Sequence, residues 1–286
     1  MSKIIDGKEI AERINMAVKE DVRKLSQKRG RAPKLASLTV GNKGDAEIYV
    51  NMQRRNAEKV GIEFASLHYE DSLTQEGLFK EIEKLNRDDS VTAIIVQKPL
   101  PDGISHNRVV AAISPGKDAE GIHPYNLGRI LRREAELEAC TPGAVMEILR
   151  MKEIDLYGKE VVIIGSSAIV GKPLSLMLLN EMATTTVCNI ATFEKGDLPA
   201  HALRADILIV AVGKAEMVKA DWVAKGAVVI DVGINKKGNE IVGDVAFSEV
   251  EKKASLITPV PGGVGPITVS ILMRNVFRAD RDKGIR

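Results

Sequence analysis

Apolar positions follow helical and strand periods in turn along the first third of the chain. A long first helix is predicted by apolar residues at every third or fourth position, which are Ile10, Ile14, Val18, Val22 and Leu25. Strands are predicted for residues 35–40, 62–68 and 91–96. Helices are predicted from about Asp45 to Gly61, and from a capping box at Ser72–Gln75. This order predicts a parallel sheet with right-handed crossovers.

The second half begins with a strand, a glycine turn and a helix. Residues 161–164 are β-branched with no polar face, which predicts a strand buried on both sides. Gly165 ends this strand, and a helix follows from Lys172. A helix N-terminus offers free N–H groups to a pyrophosphate. The segment lacks the G-x-G-x-x-G spacing, so glycines that serve packing alone are the alternative interpretation.

Three further strands are predicted in this half, at residues 185–188, 206–212 and 227–232, before a final helix from Val269. Each strand ends in a turn at the same edge of the sheet, which is typical of a doubly wound, Rossmann-like nucleotide-binding domain. The predicted fold class is therefore α/β, with an N-terminal parallel βαβ sheet domain followed by a Rossmann-like domain.

Composition adds limits on location and partners. The chain has 286 residues, of which 44% are hydrophobic, and this length suits about two domains. A net charge of +2 indicates neither nucleic acid nor a membrane as partner. The N-terminus reaches acidic residues too early for a signal peptide, so a cytoplasmic location is predicted. Cys140 and Cys188 lie far apart, and the histidines are scattered, so we expect reduced thiols and no metal site.

Eight separated segments together resemble one enzyme family in order and spacing. They are GNKGDAEIYV, VQKPLP, ACTPG, VIIGSSAIVGKP, ADILIVAVGK, VVIDVGIN, VGDV and TPVPGGVGPIT. The family is the methylenetetrahydrofolate dehydrogenase/methenyltetrahydrofolate cyclohydrolase family. The resemblance implies a folate domain over residues 1–139, with helix 269–286 packing back on it, and an NAD(P) domain over 140–268. It also implies an active-site cleft between the domains, a homodimer, and a tetrahydrofolate derivative as substrate.

The resemblance also implies the site residues. Tyr49 would stack on the folate ring, Gln97 would support the catalytic group, and Glu120 would hold the pterin. Further substrate contacts implied by motif position are Pro99, Leu100, Pro261, Gly262, Gly263 and Val264. The implied dinucleotide contacts are Thr141, Gly165, Ser166, Ser167, Ile169, Val170, Gly171, Asn189, Val212, Gly213, Ile234 and Thr268.

The chain departs from the family pattern at the position that serves hydrolysis. The family has a lysine where this chain has Gln53. Hydride transfer to nicotinamide needs positioning and can run without a protonatable side chain. Hydrolysis requires a group that takes a proton from water, which an amide cannot do. Gln53 therefore predicts a dehydrogenase with weak or absent cyclohydrolase activity. Lys98 replaces an apolar family residue and could supply the missing amine; the alternative is a lysine that reaches solvent.

The cofactor turn also departs from the family pattern. NADP-using members resemble one another in an arginine after the first glycine, where this chain has Ser166. Ile190 and Ala191 occupy positions that are polar or basic in those members. Without an arginine fork for the 2′-phosphate we expect NAD rather than NADP. Asn189 or Glu194 could bind the 2′-hydroxyl, and Lys195 could restore NADP binding.

Three functions therefore remain open from the sequence. The first is an NAD-preferring methylenetetrahydrofolate dehydrogenase. The second is the full bifunctional enzyme, with Lys98 as base or with a water held by Gln53 and Gln97. The third is a paralogue that binds folate or dinucleotide without catalysis. An unrelated Rossmann dehydrogenase would follow if the resemblance misleads.

Overall fold

The computed structural model describes residues 3–41 and 44–281. Asn42 and Lys43, in the predicted turn after the first strand, lie outside the described residues, as do residues 282–286 of the predicted final helix. None of the described helices combines the length and the apolar character needed to cross a bilayer.

The first half of the chain forms three strands and six helices within the described residues. They are α1 (Gly7–Arg29), β1 (Lys34–Val40), α2 (Gly44–Val60), β2 (Glu63–Tyr69), α3 (Gln75–Arg87), β3 (Ala93–Val96), α4 (His106–Ala112), α5 (Pro124–Leu131) and α6 (Cys140–Met151). The sheet is parallel with the order β2-β1-β3, so Leu35 pairs with Phe64 on one side and Ala93 on the other. The predicted βαβαβ arrangement is confirmed, with β3 shorter than expected.

The predicted capping box before α3 is wrong. Thr74, and not Ser72, caps this helix, because its hydroxyl accepts a hydrogen bond from the N–H of Gly77. Gln75 is then the first helical residue, and its side chain accepts a hydrogen bond from the N–H of Ser105 instead of turning back to a cap. The pattern S-x-x-Q matched by sequence, but the helix begins two residues later.

The second half contains a five-stranded sheet. Its elements are β4 (Glu160–Ile164), α7 (Gly171–Asn180), β5 (Thr184–Cys188), α8 (Ile190–Glu194), α9 (Leu198–Ala202), β6 (Ile207–Val210), β7 (Val228–Asp231), β8 (Asn235–Lys237), β9 (Glu240–Val242), α10 (Phe247–Val250), β10 (Leu256–Ile257) and α11 (Val264–Arg281). The sheet has the order β10-β7-β6-β4-β5 and all its pairs are parallel, while β8 and β9 form a separate antiparallel ribbon. The doubly wound, Rossmann-like fold is confirmed.

The final helix begins earlier than predicted. We expected it from Val269, after the motif TPVPGGVGPIT, but α11 starts at Val264 and contains the end of that motif. Pro266 lies in the first turn of this helix. A proline there costs no hydrogen bond, because N–H groups in the first turn have no intrahelical partner.

The described residues divide into two compact units. One contains residues 12–129, 134–140 and 269–281, and the other contains 3–11, 130–133 and 141–268. The predicted domain division at residues 139/140 and 268/269 differs from these units mainly in two short segments, 3–11 and 130–133, which group with the five-stranded sheet. In that unit Ile5 donates its N–H to the carbonyl of Ile257, which attaches the N-terminal segment to β10.

Candidate functional site

Helix α2 places two of the predicted site residues on one face. Tyr49 and Gln53 are four residues apart, which is close to one helical turn. Gln53 is fully buried and Tyr49 is partly exposed. Arg54 and Arg55 on the same helix are exposed, with the Arg54 guanidinium 5.7 Å from the centre of the Phe64 ring. Their exposure agrees with a role at the protein surface.

Gln53 joins a buried network of neutral side chains at the carboxyl end of β3. Nε2 of Gln97 donates to Oε1 of Gln53 at 2.8 Å and to the Ser37 hydroxyl at 2.9 Å. Nε2 of Gln53 lies 3.4 Å from Oε1 of Gln97 and donates to it in return. Gln97 is also buried. The position where the family has its lysine is therefore occupied by the Gln53 amide, whose oxygen and nitrogen both hydrogen-bond to the Gln97 amide.

Glu120 lies at the same edge of the sheet. Asp118 bridges to Ile94 in parallel, and Ala119 donates its N–H to the Ile94 carbonyl at 3.1 Å, so the chain at Glu120 continues alongside the end of β3. Burial and the neighbouring Asp118 carboxylate raise the pKa of Glu120 to about 7, against an opposing effect of the Lys98 charge. Glu120 therefore titrates near neutral pH, where a carboxyl group can both accept and release a proton.

Asp118 organises the turn that carries Glu120. Its Oδ1 accepts the N–H groups of Glu120 and Gly121, and its Oδ2 accepts those of His123 and of the Asn126 side chain. Burial raises the pKa of Asp118, although these hydrogen bonds oppose the rise. Sequence reasoning missed Asp118; the signal that could have found it is its place two residues before Glu120.

Tyr49 belongs to the same cluster. Burial raises the pKa of its hydroxyl, with the Cys140 and Glu120 side chains acting in the same direction. Cys140 donates its backbone N–H to the Glu120 carbonyl at 3.0 Å, and burial raises the pKa of its thiol well above the ordinary value. Both groups therefore stay protonated at neutral pH.

Lys98 follows Gln97 directly and its side chain is exposed. Its positive charge lowers the pKa of Glu120. The pKa of His106 is lowered mainly by burial and to a smaller extent by the same charge. The exposure of Lys98 favours the interpretation of a lysine that reaches solvent. Its effect on the pKa of Glu120 shows that it lies near the predicted site. The predicted substrate residues Pro99 and Leu100 continue the same loop and are exposed and partly exposed.

In the other unit, the turn after β4 is closely packed by the protein's own backbone. Gly165 has φ +125, and a Cβ placed there would lie 2.3 Å from the carbonyl oxygen of Ala211. The turn therefore requires glycine. Ser167 closes it by accepting the Val170 N–H with its hydroxyl at 3.1 Å. Gly171 then begins α7, so the helix N-terminus faces the turn as a pyrophosphate requires.

The order of strands locates the rest of this predicted site. The chain adds β5 on one side of β4 and then β6 on the other, so the order of strands reverses between β4 and β6. Ligands of doubly wound sheets bind at the carboxyl ends of the strands at such a point. Ile169 and Val170 lie in the turn after β4, Val212 and Gly213 follow β6, and Ile234 follows β7. These predicted contacts share one edge of the sheet.

The end of β5 is shaped by Asn189. Its side-chain Oδ1 caps α8 by accepting hydrogen bonds from the N–H groups of Ala191 and Thr192 at 3.0 and 3.4 Å. This oxygen is therefore already engaged by the backbone. Ile190 is 68% exposed beside it. Lys195 is exposed at the end of α8 and Ser166 is partly exposed in the glycine turn.

The remaining predicted residues lie near the start of α11 and at the start of α6. Gly262 accepts the Gly7 N–H with its carbonyl at 3.0 Å, and Gly263 and Val264 follow as buried residues after the exposed Pro261. Thr268 is buried and its hydroxyl donates to the Val264 carbonyl at 3.2 Å. Thr141 is partly exposed in the first turn of α6.

Sequence reasoning missed two buried carboxylates near the predicted dinucleotide contacts. Asp231 ends β7 and Asp244 follows β9, and burial raises the pKa of Asp231 to about 6, with Asp244 contributing in the same direction. Both stand inside quoted motifs, VVIDVGIN and VGDV, where an acidic residue in an apolar strand was the available signal. Within the described part of the chain, no three His, Cys, Asp or Glu side chains are grouped so that they could hold a metal ion.

Two family models match the chain. Residues 5–120 match the catalytic domain of tetrahydrofolate dehydrogenase/cyclohydrolase, and residues 139–283 match its NAD(P)-binding domain. The boundary between the matches falls close to Cys140.

Relatives and solved structures extend this match over nearly the whole chain. The bifunctional protein FolD of Bacillus licheniformis is 47% identical over 277 residues, which cover 96% of each chain. The FolD methylenetetrahydrofolate dehydrogenase/cyclohydrolase of Campylobacter jejuni superposes with a TM-score of 0.95 at 41% identity, covering 99% of this chain and 100% of that one. The Trypanosoma brucei FolD enzyme, solved with NADP and an inhibitor, has a TM-score of 0.93 at 36% identity, covering 100% and 99%. With both domain models matched in order and relatives of this identity along its length, the chain belongs to the tetrahydrofolate dehydrogenase/cyclohydrolase family and is an enzyme with an NAD(P)-binding, Rossmann-like domain.

Proposed function

We propose that this protein oxidises 5,10-methylenetetrahydrofolate to 5,10-methenyltetrahydrofolate and that its cyclohydrolase activity is weak or absent. The observation that supports the second part is the buried amide pair of Gln53 and Gln97. Neither amide takes up a proton near neutral pH, and the third member of the network, Ser37, is a neutral hydroxyl.

The dehydrogenase step needs alignment more than proton transfer. A hydride leaves the methylene carbon with its electron pair, and the positive charge that remains is shared by the two folate nitrogens that flank this carbon. Tyr49 offers its ring for stacking, and Glu120 offers a carboxylate to the N–H donors of the pterin. Alignment of this kind is enough for hydride transfer, since effective molarity supplies much of the barrier reduction.

The hydrolytic step makes a different demand. Water has to lose a proton as its oxygen bonds to the methenyl carbon, and assistance by a general base is worth typically about 10²–10⁴-fold. Gln53 can hold such a water through its amide but cannot take the proton. We therefore expect methenyltetrahydrofolate to accumulate as the product.

The bifunctional alternative keeps one supporting observation. The charge of Lys98 acts on Glu120, so an amine and a carboxyl group of pKa about 7 lie near each other at this edge of the sheet. Lys98 in the role of base would restore hydrolysis and yield 10-formyltetrahydrofolate. The bifunctional names of the relatives agree with this alternative, whereas Gln53 and the exposure of Lys98 favour the first.

The turn of Gly165 to Gly171 fits a dinucleotide, because it follows the first strand of the five-stranded sheet and leads into the N-terminus of α7. Bound NAD(P) supplies the nicotinamide that accepts the hydride. We propose NAD as the preferred form, since Ser166 and Ile190 offer no cation to a 2′-phosphate. The Trypanosoma brucei relative binds NADP, and Lys195 is the residue that could support the same choice here. We also infer a homodimer from the family resemblance, which the mass of the protein in solution would test.

Two assays on the purified protein test the proposal. Oxidation of methylenetetrahydrofolate is followed with NAD and with NADP, and decay of the methenyl product is then followed with and without enzyme. Oxidation with decay no faster than in buffer supports a dehydrogenase alone. Enzyme-accelerated decay would support the bifunctional alternative, and folate binding without turnover would support the non-catalytic paralogue.

A further inference from the structure

Asp244 has a fully buried carboxylate that the proposed function does not use. Its Oδ2 accepts the N–H groups of Val212 at 2.7 Å and Gly213 at 3.0 Å, and its Oδ1 accepts the N–H of Lys214 at 2.8 Å. The Asn235 side chain donates to Oδ1 at 2.9 Å. One carboxylate thus binds three consecutive backbone N–H groups in the segment after β6, here called the 212–214 turn.

Two neighbouring residues, Gly233 and Asp231, make room for this carboxylate and fix its position. A Cβ on Gly233 would lie 2.1 Å from Cγ of Asp244, so any other residue there would displace the carboxylate. Asp244 is itself fixed, because its N–H donates to Oδ1 of Asp231 at 3.0 Å. Hydrogen bonds to a charged acceptor are about twice as strong as neutral ones, so the 212–214 turn is held firmly.

These contacts decide what the turn can offer a ligand. Its three N–H groups are engaged by Asp244 and cannot bind a phosphate. The turn therefore contributes its shape and its carbonyl oxygens.

The order of strands indicates which half of the dinucleotide meets this turn. In doubly wound folds the pyrophosphate lies at the glycine turn after the first strand, and the adenosine ribose lies beyond the second strand. Here these strands are β4 and β5, and β6 and β7 lie on the opposite side of β4. We therefore expect the nicotinamide half of the dinucleotide to lie at the carboxyl ends of β6 and β7.

We propose that Asp244 is a positioning residue for the nicotinamide half of the dinucleotide, because its carboxylate holds the 212–214 turn against the segment after β7. The inference rests on the NAD(P) site of the proposed function. It predicts that a defect at Asp244 weakens binding of the whole dinucleotide but leaves binding of its adenosine half intact.

The test compares two ligands by calorimetry on the full-length protein. Asp244→Asn keeps the size of the side chain but turns an N–H₂ group toward donors. We expect NAD to bind at least about tenfold more weakly, because the turn that orients its nicotinamide half loses its charged hydrogen-bond acceptor. ADP, which lacks the nicotinamide and its ribose, should bind within about twofold of the wild type. If NADP binds the wild type better, it is used with 2′-phospho-ADP.

A matched control is available in the same sheet. Asp206 accepts the Glu160 N–H at 3.0 Å before β6 begins, at the opposite edge, so Asp206→Asn should change neither affinity. Asn235→Ala removes one donor to Asp244 and leaves the backbone contacts. If Asp244→Asn does not fold, this variant should weaken NAD binding a few-fold and leave ADP binding unchanged.

Equal losses for both ligands, or no loss for either, would overturn the positioning role. Binding is measured without folate, so the result does not depend on which reaction the enzyme performs. A wild-type protein that binds no dinucleotide would overturn the NAD(P) site itself, and the role of Asp244 with it.

Discussion

The amide of Gln97 donates to the amide oxygen of Gln53 over 2.8 Å, and both side chains are buried. The two residues are 44 positions apart, on β3's carboxyl end and on α2. Their pairing leaves only neutral amides at this position, and it supports the proposal of oxidation without hydrolysis.

Replacing Gln53 by lysine should create cyclohydrolase activity. Burial lowers the pKa of a lysine and leaves part of it neutral near pH 7, and Oε1 of Gln97 is placed to accept a hydrogen bond from it. We expect methenyltetrahydrofolate hydrolysis to rise about 10²–10⁴-fold, with dehydrogenase kcat changed much less. Gln53→Met is the control, since it removes the amide without adding a base. A lysine variant that oxidises folate normally and hydrolyses no faster would contradict this account.

Lys98→Met separates the two proposed bases. Because the Lys98 side chain is exposed, we expect any residual hydrolysis to stay unchanged in this variant. The loss of its charge should raise the pKa of Glu120, because Lys98 lowers that pKa in the wild type. The measurements are the rate of methenyl decay and the pH profile of the folate KM. A large fall in hydrolysis would assign the base to Lys98.

Glu120 should make folate binding depend on pH. Its pKa of about 7 means that the carboxylate that accepts pterin N–H groups is lost on acidification, so the folate KM should rise below about pH 7. Glu120→Gln should remove this dependence. If the variant keeps the wild-type profile, another group titrates.

The same group predicts a stability effect with a defined sign. The pKa of Glu120 is raised from 4.5 to about 7 in the folded protein, so folding favours its protonated form. Its contribution to the free energy of unfolding is therefore present below about pH 4.5 and is lost as the pH rises through 7. Glu120→Gln should raise the Tm at pH 8 and leave it nearly unchanged near pH 4.5. Glu76→Gln, at an exposed position on α3, serves as the control.

Cofactor choice should respond to an arginine in the glycine turn. Ser166→Arg supplies a guanidinium that can bind a 2′-phosphate through two hydrogen bonds, so the NADP KM should fall about tenfold or more while the NAD KM changes little. Ala168→Arg adds the same charge at an exposed position of this turn and should have a smaller effect. An equal fall in the NADP KM for both variants would indicate general electrostatic attraction of the phosphate and not a specific contact at position 166. Lys195→Met would show whether this lysine supports NADP in the wild type.

The sequence by itself determined the elements and the two parallel sheets. Buried β-branched runs and three- to four-residue periods are local signals, which is why strands such as β4 and β5 and helices such as α1 were predicted close to their bounds. Errors arose where a local signal had two interpretations, as at Thr74 and at the start of α11.

Tertiary structure decided how distant side chains meet. Basic residues near a helix end usually face solvent, yet Arg29 and Arg31, at and just after the end of α1, both bind the buried carboxylate of Asp280, about 250 residues away. Asp244 reaches the N–H groups of the 212–214 turn, and Gln53 reaches Gln97, only because tertiary packing brings their segments together. Local periodicity encodes which face of a strand or helix is buried. Which buried polar groups then satisfy one another depends on the packing of segments far apart in the chain.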